Sequence, residues 1–108
     1  MPMMRYLTDE EEKWLSGMGG RAMDAERRPE AGTDCRFCFR IQFRDMEELT
    51  LIVAVMNESH NGKLYSWIES ERKRVTKMEE AWTLQDAVTL AFKAYARAEL
   101  EARKYQGF

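Results

Sequence analysis

Three groups of residues have the types and spacing that chemistry could use. Cys35-Arg36-Phe37-Cys38 has the C-x-x-C spacing of redox sites and zinc knuckles. His60, beside Ser59 and close to Asn57, Glu58 and Asn61, has the composition of a nucleophile with its base. Ser16-Gly17-Met18-Gly19-Gly20-Arg21 is rich enough in glycine to suggest a phosphate cradle at a helix start.

Each weakens once it is placed on an element. Residues 35–44 alternate completely, with Cys35, Phe37, Phe39, Ile41 and Phe43 on one side and Arg36, Cys38, Arg40, Gln42 and Arg44 on the other. In a regular strand the two cysteines then point to opposite faces, ~10 Å apart, beyond the ~7 Å Cα limit for a disulfide. Zinc would need further ligands, for which His60 is the only other soft candidate. The thiols are therefore expected to be one core and one sheet-surface cysteine, and His60 a solvated turn residue. The glycine cluster lacks the Walker spacing and has no strand before it, so it reads as a helix break. The carboxylates Glu10 to Glu12, Glu47-Glu48 and Glu79-Glu80 sit in helix starts and polar connections. No catalytic residue, metal ligand or cofactor is assigned, and an enzyme whose site forms between subunits around His60 or Cys38 is the third choice among functions.

The elements that must position these residues begin with a helix. Thr8 and Glu11 form a T-x-x-E capping box that starts it, with Trp14, Leu15 and Met18 as its apolar stripe. It breaks near Gly17 to Gly20, and a second helical piece is expected from Arg21 to Arg27, with a loop at 29–34 after it. Beyond the strand at 35–44, Leu49 to Met56 is apolar on both faces, as a central strand must be. Asn61-Gly62 suits a two-residue hairpin turn. That turn would pair Met56 with Trp67 and Val55 with Ile68 across to a third strand, Lys63 to Glu71. Arg74 to Ala81 is a candidate edge strand. Thr83 caps a long C-terminal helix, with Trp82 a candidate staple on Ala87 and an apolar face of Leu84, Val88, Ala91, Tyr95, Ala98, Ala102 and Tyr105.

The expected fold is a single α+β domain over 1–108: an N-terminal helical segment and loop (1–34), an antiparallel sheet of three to four strands (35–81), and a C-terminal helix (83–106) on one sheet face. At 108 residues the chain can bury one core. Net charge is -2 with 33% charged residues, which argues weakly against a general polyanion binder. No signal peptide or apolar span is read from the sequence, so a cytoplasmic protein with reduced thiols is expected.

The order of helix, strands and helix is similar to the αβββα arrangement of double-stranded RNA-binding domains, a resemblance of topology alone. That family carries a basic Lys cluster at the start of its last helix, and here the position reads Thr83-Leu84-Gln85-Asp86.

The remaining signal is the second sheet face, where Arg36, Arg40 and Arg44 lie beside Met56, Tyr65 and Trp67. Arg with Tyr, Trp and Met is the composition of protein interfaces. The leading expectation is thus a small non-enzymatic binding protein, working through a protein partner or as a homodimer. In size and mixed charge it looks like the inhibitors encoded by phages and mobile elements, including anti-CRISPR and anti-restriction proteins. The alternative is a nucleic-acid-binding regulator that stacks bases on the same face, with Arg72-Lys73-Arg74 and Lys77 as further phosphate contacts. A third arrangement covers the face internally, with Trp14 and Met18 over Trp67 and Met56.

Overall fold

The computed structural model describes residues 7–23, 35–56, 63–71 and 73–104. Its elements run α1 (Asp9–Gly17), β1 (Gly20–Ala22), β2 (Cys35–Phe43), β3 (Leu49–Met56), β4 (Leu64–Ser70), β5 (Lys73–Arg74), β6 (Glu79–Ala81) and α2 (Leu84–Lys104). They form an α+β fold with one antiparallel sheet ordered β1-β2-β3-β4-β5, in which β6 also pairs with β4. Among the described residues no helix is long and apolar enough to cross a membrane.

The capping box starts α1 as its residues dictate: the Thr8 hydroxyl accepts from the Glu11 amide at 3.1 Å, and the Thr8 amide donates to Glu11 Oε1 at 2.9 Å. Gly19 then adopts a left-handed φ of 78°, which turns the chain back. The chain leaves this turn as a strand, not as a second helix. Gly20, Arg21 and Ala22 pair with Phe43, Gln42 and Ile41, which corrects the helix expected from Arg21 onward. Helix propensity at Arg and Ala is worth only tenths of a kcal/mol, and it yields here to pairing along the otherwise open edge of β2. The remainder of the expected helical piece, 24–27, lies outside the described residues, as does the loop at 29–34. Gly20 also permits a close approach, since a Cβ there would lie 2.8 Å from Phe43 Cε1 and 3.3 Å from the Leu15 carbonyl.

The β3–β4 pairing keeps the expected faces but not the expected partners. Leu51 lies opposite Ile68, Ile52 opposite Trp67 and Val55 opposite Leu64, four positions from the pairing that a two-residue turn would impose. Residues 57–62 connect the strands, and the conformation of Asn61-Gly62 itself lies outside the described residues. The reason is apolar matching. The tight turn would set polar 57–60 against 63–66 and Leu51 against Arg72, whereas the observed register lays all of β3 against β4. Because the slip is an even number of residues, no side chain changes face.

Beyond β4 the expected edge strand is two short pieces. Between them the Ile68 carbonyl accepts from the Val75 amide at 2.8 Å, and the Ile68 amide donates to the Thr76 hydroxyl at 2.9 Å. A side chain thus completes a ladder position that backbone leaves open.

The main core lies between the first sheet face and the two helices: Phe39, Ile41, Phe43, Leu51, Val53 and Ile68 meet Leu84, Val88 and Ala91 of α2 and Leu15 of α1. Thr83 caps α2 by accepting from the Asp86 amide at 3.1 Å. The buried Ser66 hydroxyl ties sheet to helix by donating to the Ala87 carbonyl at 2.7 Å. Phe92 meets Phe43 edge to face, with centroids 5.0 Å apart. The expected apolar face of α2 is buried through Ala91 and half-buried at Tyr95 and Ala98, and Ala102 is already exposed. Tyr105 lies outside the described residues.

Near the end of that contact the Tyr95 hydroxyl donates to Glu99 Oε1 at 2.8 Å. This bond, then partial burial, then the charges of Glu99 and Glu48 raise the Tyr95 pKa above its ordinary 10.0. The folded state therefore holds the phenolic proton more tightly than the unfolded chain does. The resulting stabilisation is complete below the ordinary value and is lost as pH rises through the folded pKa. The stability difference between wild type and Tyr95→Phe, measured by urea unfolding across alkaline pH, should shrink as tyrosine ionises. A difference independent of pH would remove this assignment.

Candidate functional site

The second sheet face is organised in cross-strand rows, because paired residues on antiparallel strands share a face. Cys35 lies opposite Met56 in the first row; Cys38, Ala54 and Tyr65 form the second; Arg40, Ile52 and Trp67 form the third; and Gln42, Thr50 and Glu69 form the fourth. The order brings the sequence-selected Arg40, Met56, Tyr65 and Trp67 onto one face, and it brings Cys35 there too.

Cys35 is the main correction. The alternation at 35–44 is interrupted between Cys35 and Phe37, where the register shifts by one residue. Such a bulge puts an extra residue into one strand, so positions before it change face relative to those after it. Cys35 accordingly leaves the phenylalanine side, and its Sγ lies 3.5 Å from Cys38 Sγ. The separation expected of a regular strand does not hold. Neither cysteine is in a disulfide; Cys38 is fully buried and Cys35 half-buried. The Cys35 thiol also donates toward the carbonyls of Phe37 at 3.4 Å and Val55 at 3.8 Å.

Trp67 is the centre of a second core. Its exposure is 0%, and it clusters with Cys38, Ile52 and Ala54, with Cys35, Tyr65 and Met78 packed around them. The indole N–H donates to Glu69 Oε2 at 3.0 Å, which gives the one polar atom of the ring a partner inside. Met56 is also buried. Trp67 and Met56 therefore do not form an open platform, and base stacking on Trp67 is sterically closed in this conformation. Nor does α1 cover them: Trp14 and Leu15 belong to the first core, and Met18 is exposed.

The three arginines are dispersed. Arg36 is exposed at the bulge, and Arg40 is half-buried in the third row. Arg44 is exposed beside a groove of about 860 Å³ between α1 and the β1–β2 edge, lined also by Glu12, Leu15, Arg21, Gln42 and Phe43. His60 and Arg72 lie outside the described residues. Among the described residues no three His, Cys, Asp or Glu groups converge as metal ligands would.

What this face offers to solvent is a corner at its β4–β6 edge. Trp82 is 60% exposed, more open than a staple closed over the helix start would be. Lys63 Nζ lies 5.6 Å from the Trp82 ring centroid and 5.8 Å from that of Tyr65, within cation–π range of both. Glu80 holds the pair in place. Its Oε1 accepts from the Tyr65 hydroxyl at 3.1 Å and its Oε2 lies 3.4 Å from Lys63 Nζ. The signal for this corner is in the register: Glu80 lies opposite Tyr65 and Ala81 opposite Leu64, which carries Trp82 to Lys63.

Fold and site together define an α+β domain with a two-sided antiparallel sheet, one side covered by helices and the other holding a small second core, a close thiol pair and an exposed aromatic corner. No protein-family model, curated protein or solved structure matches the chain.

Proposed function

We propose that this chain is a non-enzymatic binding protein acting through protein–protein contact, and that its contact surface is the corner made by Trp82, Tyr65, Lys63 and Glu80. The observation that carries this reading is the exposure of Trp82 on a surface already braced by its neighbours. Tryptophan is enriched among residues that dominate binding energy, because a rigid ring buries a large area at little cost in side-chain entropy. Lys63 and Glu80 lower that cost further by holding their positions before any partner arrives.

The charge around the ring selects the partner's chemistry. Within four residues along the chain Trp82 has Glu79, Glu80 and Asp86 and no basic residue, and the lysine at the ring is paired with Glu80. The complementary occupant is another protein that presents an apolar pocket bordered by Lys or Arg side chains. Inhibition of a larger complex by occupying such a pocket is one role of this kind, consistent with the likeness to small phage inhibitors.

Trp82→Ala should leave stability within about 0.5 kcal/mol of wild type, since the side chain is largely solvated. The same change should weaken partner binding by about 2 kcal/mol or more. The check is to identify a protein retained by the immobilised chain, then to titrate it, purified, against wild type and Trp82→Ala in low and moderate salt. Loss of binding at unchanged stability, with weaker wild-type binding in higher salt, supports the surface. Equal affinity for both proteins, retention of nucleic acid alone, or self-association that Trp82→Ala abolishes would overturn it.

A further inference from the structure

The thiol pair has a geometry that protein binding does not require. We infer that Cys35 and Cys38 form a redox-active dithiol site that low-molecular-weight disulfides oxidise stoichiometrically, with Cys35 as the entry thiol and Cys38 as the resolving one.

Three observations converge on this assignment. The bulge brings the sulfurs to 3.5 Å, so closing a bond of about 2.0 Å requires a further approach of only about 1.5 Å. The two thiols differ in access, because Cys35 is half-buried while Cys38 has no exposed surface. Of the two residues only Cys35 retains exposed surface, which makes it the side from which an external disulfide would approach. Finally, the second sulfur lies next to the first inside the protein, where a mixed disulfide at Cys35 would be met at once by an internal competitor.

The chemistry is thiol–disulfide exchange. Cys35 gives its proton to solvent, and the thiolate attacks one sulfur of the reagent; the reagent's S–S bond breaks, and the departing thiolate takes up a proton. Cys38 then loses its proton and attacks Cys35 Sγ, which breaks the mixed disulfide and expels the second reagent thiolate, to be protonated in turn. Two protein thiols are oxidised to one disulfide, and the reagent disulfide is reduced to two thiols. The new bond would clamp the bulge of β2 to the second core beside Trp67.

The experiment treats the full chain under native conditions with glutathione disulfide and monitors it by intact mass and thiol count, alongside Cys35→Ser, Cys38→Ser and Cys38→Ala. The expected wild-type product is monomeric, has lost two hydrogens and both thiols, and carries no glutathione. Cys38→Ser should stop as a stable single glutathione adduct on Cys35, and Cys35→Ser should remain unreacted. Cys38→Ala must give the same adduct, which keeps the test valid if a buried serine hydroxyl impairs folding. A wild-type chain that accumulates a lasting adduct beside a free thiol, that links to a second chain, or that stays fully reduced would overturn the assignment. So would reaction of Cys35→Ser as fast as wild type.

Discussion

Replacing Trp67 with alanine should destabilise the protein by about 3–5 kcal/mol, the range for truncating a fully buried aromatic side chain. Two effects add in the same direction. The indole is fully buried and packs with Cys38, Ile52 and Ala54, so its loss leaves a cavity over a sheet face whose backbone is held by strand pairing. Its N–H is also a hydrogen-bond donor to Glu69, a carboxylate only 5% exposed, and removing one donor from a buried acceptor carries its own cost. Domains of this size have total stabilities of about 5–15 kcal/mol, so the variant should unfold at a much lower urea concentration. Trp67→Phe, which loses the donor but keeps much of the volume, should cost clearly less. A second readout is specific to this site: Cys38, enclosed in wild type, should become reactive toward a thiol reagent in Trp67→Ala before global unfolding. If Trp67→Ala matched wild type in urea, the second core would not exist as described. The same substitution is therefore a poor probe of binding, and Trp82 takes that place.

How far the sequence discloses these features depends on what kind of interaction fixes each. The alternation of Phe37, Phe39, Ile41 and Phe43 is a matter of side-chain period, and it places them in the main core without reference to any other strand. The apolar character of Ile52, Ala54 and Met56 marks β3 as a central strand, but it does not separate a contact surface from a buried one, and Met56, expected among the binding residues, is buried. The bulge at Cys35 is different. It is a choice of backbone pairing, made where β2 meets β3, and Cys-Arg-Phe carries no glycine or proline to mark it. One inserted residue is enough to turn a separated pair of thiols into a close one. The β3–β4 register is hidden for a related reason: the match of Leu51 with Ile68 and Val55 with Leu64 is non-local, and a local signal such as Asn61-Gly62 carries no information about it. The strand at Gly20–Ala22 depends on an open sheet edge supplied from twenty residues away. Trp82 is legible as a cap-side residue from its position before Thr83; its neighbours Lys63 and Tyr65 become visible only once β6 is laid on β4.

Leu15→Ala carries the second large effect, about 2–5 kcal/mol, and it tests how the N-terminal elements are held. A helix as short as α1, nine residues, is unstable by itself in water, where about 12–15 residues are marginal even for good formers. Its capping box contributes about 1 kcal/mol, too little to change that. Docking must supply the rest, and Leu15, at 1% exposure, is the residue of α1 that is buried in the main core, with half-buried Trp14 beside it. The Leu15 carbonyl is also closely packed by the chain at Gly20, so helix, turn and β1 share one attachment. Truncation should therefore release them together. In hydrogen exchange the amides of α1, and those of β1 that bond to β2, should lose protection, while the central β3 amides stay protected until global unfolding. The groove beside Arg44, whose walls are α1 and β1, would open at the same step. Uniform loss of protection across the sheet would instead mean that α1 is integral to a single cooperative core. A change below about 1 kcal/mol would mean that the site collapses around the smaller side chain, since the cost of such truncations tracks the cavity that remains.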